Sequence, residues 1–399
     1  MTLLERPQSL RLPPLDPLAR SRRHVLVVAS LTKSLVNFRL ELLRAMVAAG
    51  HRVSAAAPDD DPDAIATLRT IGVAFERIPM ARAGVNPFAD LRTLAALTRL
   101  MRRTRPDVLF AYTMKPIIYG GLAARLAGVP RRHAMFTGFG YMFSATDGGR
   151  KAAAVREIGV QLYRRALAGC DAAFSYNETD AADIRRHRLI ADDVPLVSVA
   201  GSGVDLAHFG ASAPFPDAPT FLLVARLLRQ KGIGEFAAAA LMLKARWPQA
   251  RFLVLGPFDP SPLGVGADEM ARWQADGAIE YLGETRDVRP FLAQASVFVL
   301  PSYYREGIPR SALEALAAGR PVVTTDAPGC RETVLHGDNG YLVPPRDVPA
   351  LTEAMERFLL DAGLAERMGR RSRQIAETQF DVHAVNRSLL AAMGLGPEV

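Results

Sequence analysis

Short apolar runs alternate along the whole chain with longer stretches in which apolar residues recur every three to four positions, the pattern of parallel strands covered by helices. In the first half, strands are expected at His24–Ser30, Arg52–Ala57, Val108–Tyr112, His133–Thr137 and Ala172–Ser175, with a helix around Phe38–Ala49 that stops at Gly50. A second series is expected at Thr220–Ala225, Arg251–Gly256, Ile279–Gly283, Val297–Leu300, Pro321–Thr324 and Gly340–Val343, followed by a helical stretch over Val348–Phe380. Two such series in tandem predict an α/β protein with two layered domains, and 399 residues of 49% hydrophobic content suffice to fill both cores.

The expected division is a loose arm at 1–20, a first domain at 21–200, a linker at 201–219 containing the proline-rich Ala213–Pro219, a second domain at 220–380, and a last helix at 381–399 packing back towards the first domain. Residues 1–200 hold 29 Lys and Arg against 18 Asp and Glu, and the remainder 20 against 23, so the first half is basic and the second slightly acidic. A basic half suits nucleic acid, an anionic lipid surface or a phosphorylated substrate. Its cations are dispersed and no nucleic-acid motif accompanies them, so no nucleic-acid partner is expected. Cys170 and Cys330 have neither disulfide nor metal-ligand spacing, and a cytoplasmic location is expected. No apolar run has the length of a membrane span, and Met1–Arg20 lacks the continuous apolar segment of a signal peptide.

The chemistry concentrates in the second half. In Tyr304-Arg305-Glu306-Gly307-Ile308-Pro309-Arg310-Ser311-Ala312-Leu313-Glu314, Pro309 suits a first helical position, and the backbone N–H groups of Gly307 and Ile308 would then lie at the positive end of a helix that Gly319 stops. Such an end binds phosphate. Glu306 would face what the phosphate carries, and Glu314, in an otherwise apolar helix, would accept hydrogen bonds from a diol such as a ribose. Taken alone, the two glutamates equally suit a helix-start residue and an exposed helical residue. Upstream, Arg226 and Lys231 in Ala225-Arg226-Leu227-Leu228-Arg229-Gln230-Lys231-Gly232 follow a strand, where open parallel sheets bind ligands, and two cations there fit a diphosphate.

The ordered set Arg226, Lys231-Gly232, Glu306-Gly307-Ile308-Pro309, Glu314 and Ala318-Gly319-Arg320-Pro321-Val322-Val323 resembles the signature of the retaining glycosyltransferases of family four, with the GT-B fold. That resemblance implies two Rossmann-like domains with a deep interdomain cleft, a hexosyltransferase activity, Arg226 and Lys231 on the diphosphate, Glu306 on the donor sugar and Glu314 on the ribose. It further implies phosphate contacts from Gly307 and Ile308, and a nucleotide base framed near Tyr281 and Leu282. Ser34-Leu35-Val36-Asn37-Phe38-Arg39, Tyr112–Gly120 and Phe136-Thr137-Gly138-Phe139-Gly140-Tyr141 resemble the subgroup that extends sugars on undecaprenyl diphosphate in bacterial polysaccharide or glycan biosynthesis. By that resemblance the donor is a nucleotide-diphosphate sugar, with UDP as the expected nucleotide. The acceptor is a lipid-linked saccharide met by Asn37, Lys115, Thr137 and Gly138, with Lys115 equally suited to a plain surface lysine. The protein is expected at the cytoplasmic face of the inner membrane, in peripheral contact with its anionic leaflet.

No cofactor and no metal are expected, because the cations and the helix end would offset the diphosphate charge. The acidic run Asp59-Asp60-Asp61-Pro62-Asp63 is expected to be a solvated loop, and His133 a strand residue rather than a catalytic one. Leu91–Arg105, with Leu94, Leu97, Leu100 and Met101 among five arginines, suits a core-facing helix with a basic outer side better than a membrane-facing one. Two alternatives belong to the same fold: a UDP-N-acetylglucosamine epimerase and a non-catalytic nucleotide-sugar-binding subunit. A dehydrogenase is disfavoured, since Ala29–Leu35 lacks the spaced glycines of a dinucleotide turn.

Overall fold

The structure is a computed structural model that describes residues 22–81, 84, 86–139, 149–210 and 215–396. The expected arm at 1–20, Gly140 and Tyr141, and residues 211–214 of the expected linker lie outside the described residues. The chain divides into two compact units. One holds the described residues up to Ser202 together with those from Val382 onwards, and the other is Gly203–Asp381. Residues from Gly203, expected in a linker, thus belong to the second unit, where Val204 N–H donates to Phe380 O at 2.7 Å.

The first unit is built on seven parallel strands: β1 His24–Val28, β2 Arg52–Ala57, β3 Ala74–Arg77, β4 Val108–Tyr112, β5 Arg131–Phe136, β6 Ala172–Ser175 and β7 Leu196–Ser198. Their order is β3-β2-β1-β4-β5-β6-β7. The strand sequence reverses between β1 and β4, which places a ligand-accepting switch point at the carboxyl ends of that pair. β1 and β4 are buried throughout, as their unbroken apolar runs require when helices cover both faces. On one face Leu26, Leu97, Leu109, Phe136 and Tyr163 share a core. The final helix Val382–Met393 packs against the helix Thr32–Ala48, and His51 Nε2 lies 3.2 Å from Leu395 O.

The second unit has six parallel strands: β8 Thr220–Val224, β9 Arg251–Leu255, β10 Glu280–Tyr281, β11 Val297–Leu300, β12 Val322–Thr325 and β13 Gly340–Val343. They run in the order β10-β9-β8-β11-β12-β13, with the reversal between β8 and β11. Both units therefore have the Rossmann-like α/β organisation expected.

Several local expectations shift. β3 (Ala-Phe-Glu-Arg) and β7 were not expected, because both are short edge strands whose half-exposed residues form no apolar run. The helical stretch Val348–Phe380 is two helices, Val348–Leu360 and Leu364–Gln379. It breaks where the Asp361 carboxylate accepts the Gly363 N–H at 3.0 Å. The acidic run is more than solvated loop. Asp59 Oδ1 accepts the Thr32 N–H at 2.8 Å, and Asp61 caps the helix Pro62–Thr70 by accepting from Ala64 N–H at 3.0 Å.

Candidate active site

The loops that leave β8 and β11 meet at the reversal point of the second sheet. After β8 the chain passes Arg226, makes a single 3₁₀ turn at Arg229–Lys231 and enters the helix Ile233–Lys244 through Gly232. Gly232 has a left-handed φ of 78°, and a Cβ there would lie 2.2 Å from Pro301 O. Only glycine lets this turn rest on the end of β11. The contact is then hydrogen-bonded: Gln230 O accepts from Tyr303 N–H at 2.9 Å and Tyr304 N–H at 3.1 Å.

This apposition brings Lys231 and Glu306 together as a direct ion pair, with side chains only 12% and 11% exposed. Ser302 Oγ donates to the same Glu306 oxygen at 3.1 Å, and the Lys231 ammonium lies 5.5 Å from the centre of the Tyr304 ring. Thr325 Oγ1 donates to Ser302 O, fixing the start of the loop to the end of β12. On the opposite side of the loop, Gly329 (φ 89°) packs so closely that a Cβ would fall 2.3 Å from Gly307 O and 2.6 Å from Glu306 Cβ. Arg226, half exposed, makes an ion pair with Asp259 at 2.8 Å. The diphosphate candidates are therefore poised against carboxylates, Lys231 deep and Arg226 at the surface.

The helix expected after Glu306 runs Arg310–Ala317, and Gly319 (φ 67°) follows its end. Pro309 is not its first residue. With φ −63° and ψ 120° it stands just outside as the cap, and its carbonyl accepts from Ala312 N–H at 3.1 Å and Leu313 N–H at 3.2 Å. The amides of Ile308 and Arg310 donate to no protein group among the described residues. One turn into this helix, Glu314 accepts from Arg310 Nε at 3.0 Å. Burial raises the Glu314 carboxyl above the usual carboxylate range, and Arg310 opposes that shift.

Tyr281 and Leu282 lie at the carboxyl end of β10 beside β9. Leu282 N–H donates to Val254 O at 2.9 Å. The Tyr281 hydroxyl donates to Gly256 O at 2.9 Å, and its ring meets Phe258 edge-on at 5.3 Å. Arg226, Lys231, Glu306, Gly307, Ile308, Tyr281 and Leu282 thus all come from loops or strand ends at one edge of one sheet, with Glu314 on the helix that starts there.

The candidates in the first unit are less concentrated. Asn37 is exposed on the helix Thr32–Ala48, while Thr137 and Gly138 (φ 102°) are half-buried just after β5. Lys115 is neither a surface lysine nor open to a phosphate. It is buried, with Nζ 2.8 Å from Asp90 Oδ1 in the first turn of the helix Pro87–Thr104. A lysine is buried here because a carboxylate neutralises it. His133 is a buried residue of β5, pushed down to about 3 by burial and by Arg131 and Arg23, and neither ring nitrogen has a hydrogen-bond partner among the described residues. In Pro87–Thr104, Leu97, Leu100 and Met101 face the core and Arg92, Arg99, Arg102 and Arg103 face outwards. Its first turns nevertheless expose Phe88 (87%) and Leu91 (63%).

Four participants escaped sequence reasoning: Gln230, Ser302, Asp259 and Arg310. Ser302 lies four residues before Glu306 and Arg310 four before Glu314, and those spacings are the only signal the sequence offered.

Comparison with known proteins assigns the family. The sequence model described as "Glycosyl transferases group 1" matches residues 218–361, and that described as "Glycosyl transferase 4-like domain" matches residues 36–200. The chain is 27% identical over 363 residues to the N,N'-diacetylbacillosaminyl-diphospho-undecaprenol alpha-1,3-N-acetylgalactosaminyltransferase of Campylobacter jejuni, covering 88% of this chain and 93% of that one. It is 26% identical to the UDP-Gal:alpha-D-GlcNAc-diphosphoundecaprenol alpha-1,3-galactosyltransferase of Escherichia coli, covering 71% and 74% respectively. Among solved structures, HepE of Anabaena in complex with UDP and glucose superposes with a TM-score of 0.73 at 17% identity, over 92% of this chain and 98% of that one. With both units matched and most of the chain accounted for, the protein belongs to the group 1 glycosyltransferases that carry a glycosyl transferase 4-like amino-terminal domain.

Proposed function

We propose that this glycosyltransferase moves a hexose or N-acetylhexosamine from a nucleotide-diphosphate sugar, UDP-linked, to a lipid-linked saccharide on undecaprenyl diphosphate, as a step of polysaccharide biosynthesis. The observation that carries the donor half is the joining of the Lys231 turn to the Glu306 loop at the carboxyl edge of β8 and β11. The acceptor class rests on the two relatives whose names specify diphospho-undecaprenol saccharides.

In this reading the donor diphosphate takes Arg226 from Asp259 and lies against Lys231 and the Ile308 and Arg310 amides. These groups offset the negative charge that grows on the leaving diphosphate. Glu306 receives hydroxyls of the transferred sugar, Glu314 the ribose, and Tyr281 and Leu282 border the base. The acceptor hydroxyl attacks from the face the diphosphate leaves, its proton passes to the departing phosphate oxygen, and the anomeric configuration is retained. Positioning and charge stabilisation do the work, without a protein base or a metal.

Phe88 and Leu91, exposed among the arginines of Pro87–Thr104, suit peripheral contact with an anionic leaflet that carries such an acceptor. Incubation of the purified protein with a panel of UDP-sugars and an undecaprenyl-diphosphate-linked monosaccharide, with and without a chelator, tests the proposal. Elongated lipid product in both conditions supports it. Transfer to soluble sugars alone would remove the lipid acceptor, and chelator sensitivity would remove metal-independent transfer.

A further inference from the structure

We propose that Arg310 is a positioning residue for the nucleotide: it engages one oxygen of Glu314 so that the other is presented, ionised, to the ribose diol. The inference rests on the reading of Glu314 as the ribose carboxylate and adds a residue that this reading leaves out.

Helix physics alone does not account for Arg310. A cation in the first turn opposes the helix dipole, and an arginine placed four residues before a glutamate is the less favourable order for an i,i+4 pair. In Glu353–Arg357 and Glu366–Arg370 the acid comes first and both side chains are more than half exposed, whereas Arg373–Glu377 has the arginine first with its glutamate half exposed. In Arg310–Glu314 the arginine again comes first and the side chains are 24% and 15% exposed.

The geometry is one-sided. Arg310 Nε donates to Glu314 Oε1, and Oε2 has no protein partner among the described residues. The guanidinium therefore holds one lone-pair edge of the carboxylate and leaves the other for a ligand. Burial of Glu314 favours its neutral acid form, which accepts hydrogen bonds less well, and Arg310 is the charged group that opposes this. The helix packs on the helix Leu364–Gln379, on β11 and β12 and on the turn Arg331–Thr333. The charges that approach from there are engaged elsewhere: Arg331 with Asp326, Glu332 with the Gly329 N–H, and Arg373 with Glu377 and the carbonyls of Phe209 and Ala317. Removing Arg310 leaves burial unopposed, so the carboxyl takes up its proton at higher pH.

Calorimetric titration of UDP and of 2′,3′-dideoxy-UDP into the wild type, Arg310→Met, Arg310→Lys and Glu314→Gln tests this between about pH 6 and about pH 8. The expected result is that Arg310→Met weakens UDP binding roughly threefold more at the acid end than at the alkaline end, because more of the Glu314 carboxyl is then protonated. Arg310→Lys restores the wild-type pH profile, Glu314→Gln is weak and flat with pH, and no variant alters dideoxy-UDP binding. An Arg310→Met profile parallel to wild type, or an equal loss for dideoxy-UDP, overturns the positioning role while Glu314→Gln still reports on the ribose. Unchanged UDP binding in Glu314→Gln overturns the underlying reading of Glu314. Should Arg310→Met not fold, Arg310→Gln takes its place: a loss of UDP binding that grows towards acid pH supports the role, and a profile parallel to wild type contradicts it.

Discussion

The Lys231 ammonium and the Glu306 carboxylate form a buried ion pair between the loops that follow β8 and β11 of the second unit. Because both side chains are nearly enclosed, removing either partner leaves an uncompensated charge, so the pair differs from the exposed pairs elsewhere on the chain. Lys231→Ala is expected to lower the transfer rate by about 10²–10³ and to destabilise the fold by about 3 kcal/mol. Lys231→Ala/Glu306→Gln should recover most of the stability and none of the rate. Steady-state kinetics beside urea unfolding separates the two effects.

Gly329 keeps the loop of Glu306 and Gly307 in place by proximity. Its left-handed φ and the 2.3 Å approach of a Cβ to Gly307 O leave no room for alanine. Gly329→Ala is expected to cost about 1–3 kcal/mol of stability and to raise the KM for donor more than it lowers kcat. An unchanged donor KM with a lowered melting temperature would restrict Gly329 to folding.

His133 sets an acid limit on stability. Its folded pKa of about 3 lies below the model-compound value of 6.5, so the unfolded chain takes up the proton first. Its contribution is complete above the unfolded value and is lost as pH falls from there towards about 3. His133→Phe, which fits beside Phe174 and Phe110, is expected to reduce the stability difference between about pH 7 and about pH 5 by about 2 kcal/mol. Urea titrations at the two pH values measure it.

Phe88→Asp/Leu91→Asp is expected to leave the fold unchanged, since both side chains are exposed, and to lower sedimentation with anionic vesicles several-fold. Vesicles of zwitterionic lipid alone serve as the reference. Equal sedimentation of wild type and variant would remove this face from membrane contact.

The parallel sheets were legible because their central strands are unbroken apolar runs, as in Val-Leu-Val-Val of β1 and Val-Phe-Val-Leu of β11. The half-exposed edge strands β3 and β7 carry no such pattern and were missed. In the donor region, motif residues were legible because their types and order are specific. Their partners were not, because Gln230 acts through its carbonyl and Asp259 meets Arg226 across 33 positions of sequence. Lys115 misled for the converse reason: a lysine after a strand reads as a loop cation, and only the fold brings Asp90 to it.

The central claim is retaining transfer from a UDP-sugar to an undecaprenyl-diphosphate saccharide by the loops around Lys231 and Glu306. NMR of the linkage formed from a UDP-α-sugar and that lipid acceptor tests it most directly. An α-linked product, absent with Glu306→Gln, is the predicted result. A β-linked product, or an α-linked one formed undiminished by Glu306→Gln, would contradict it.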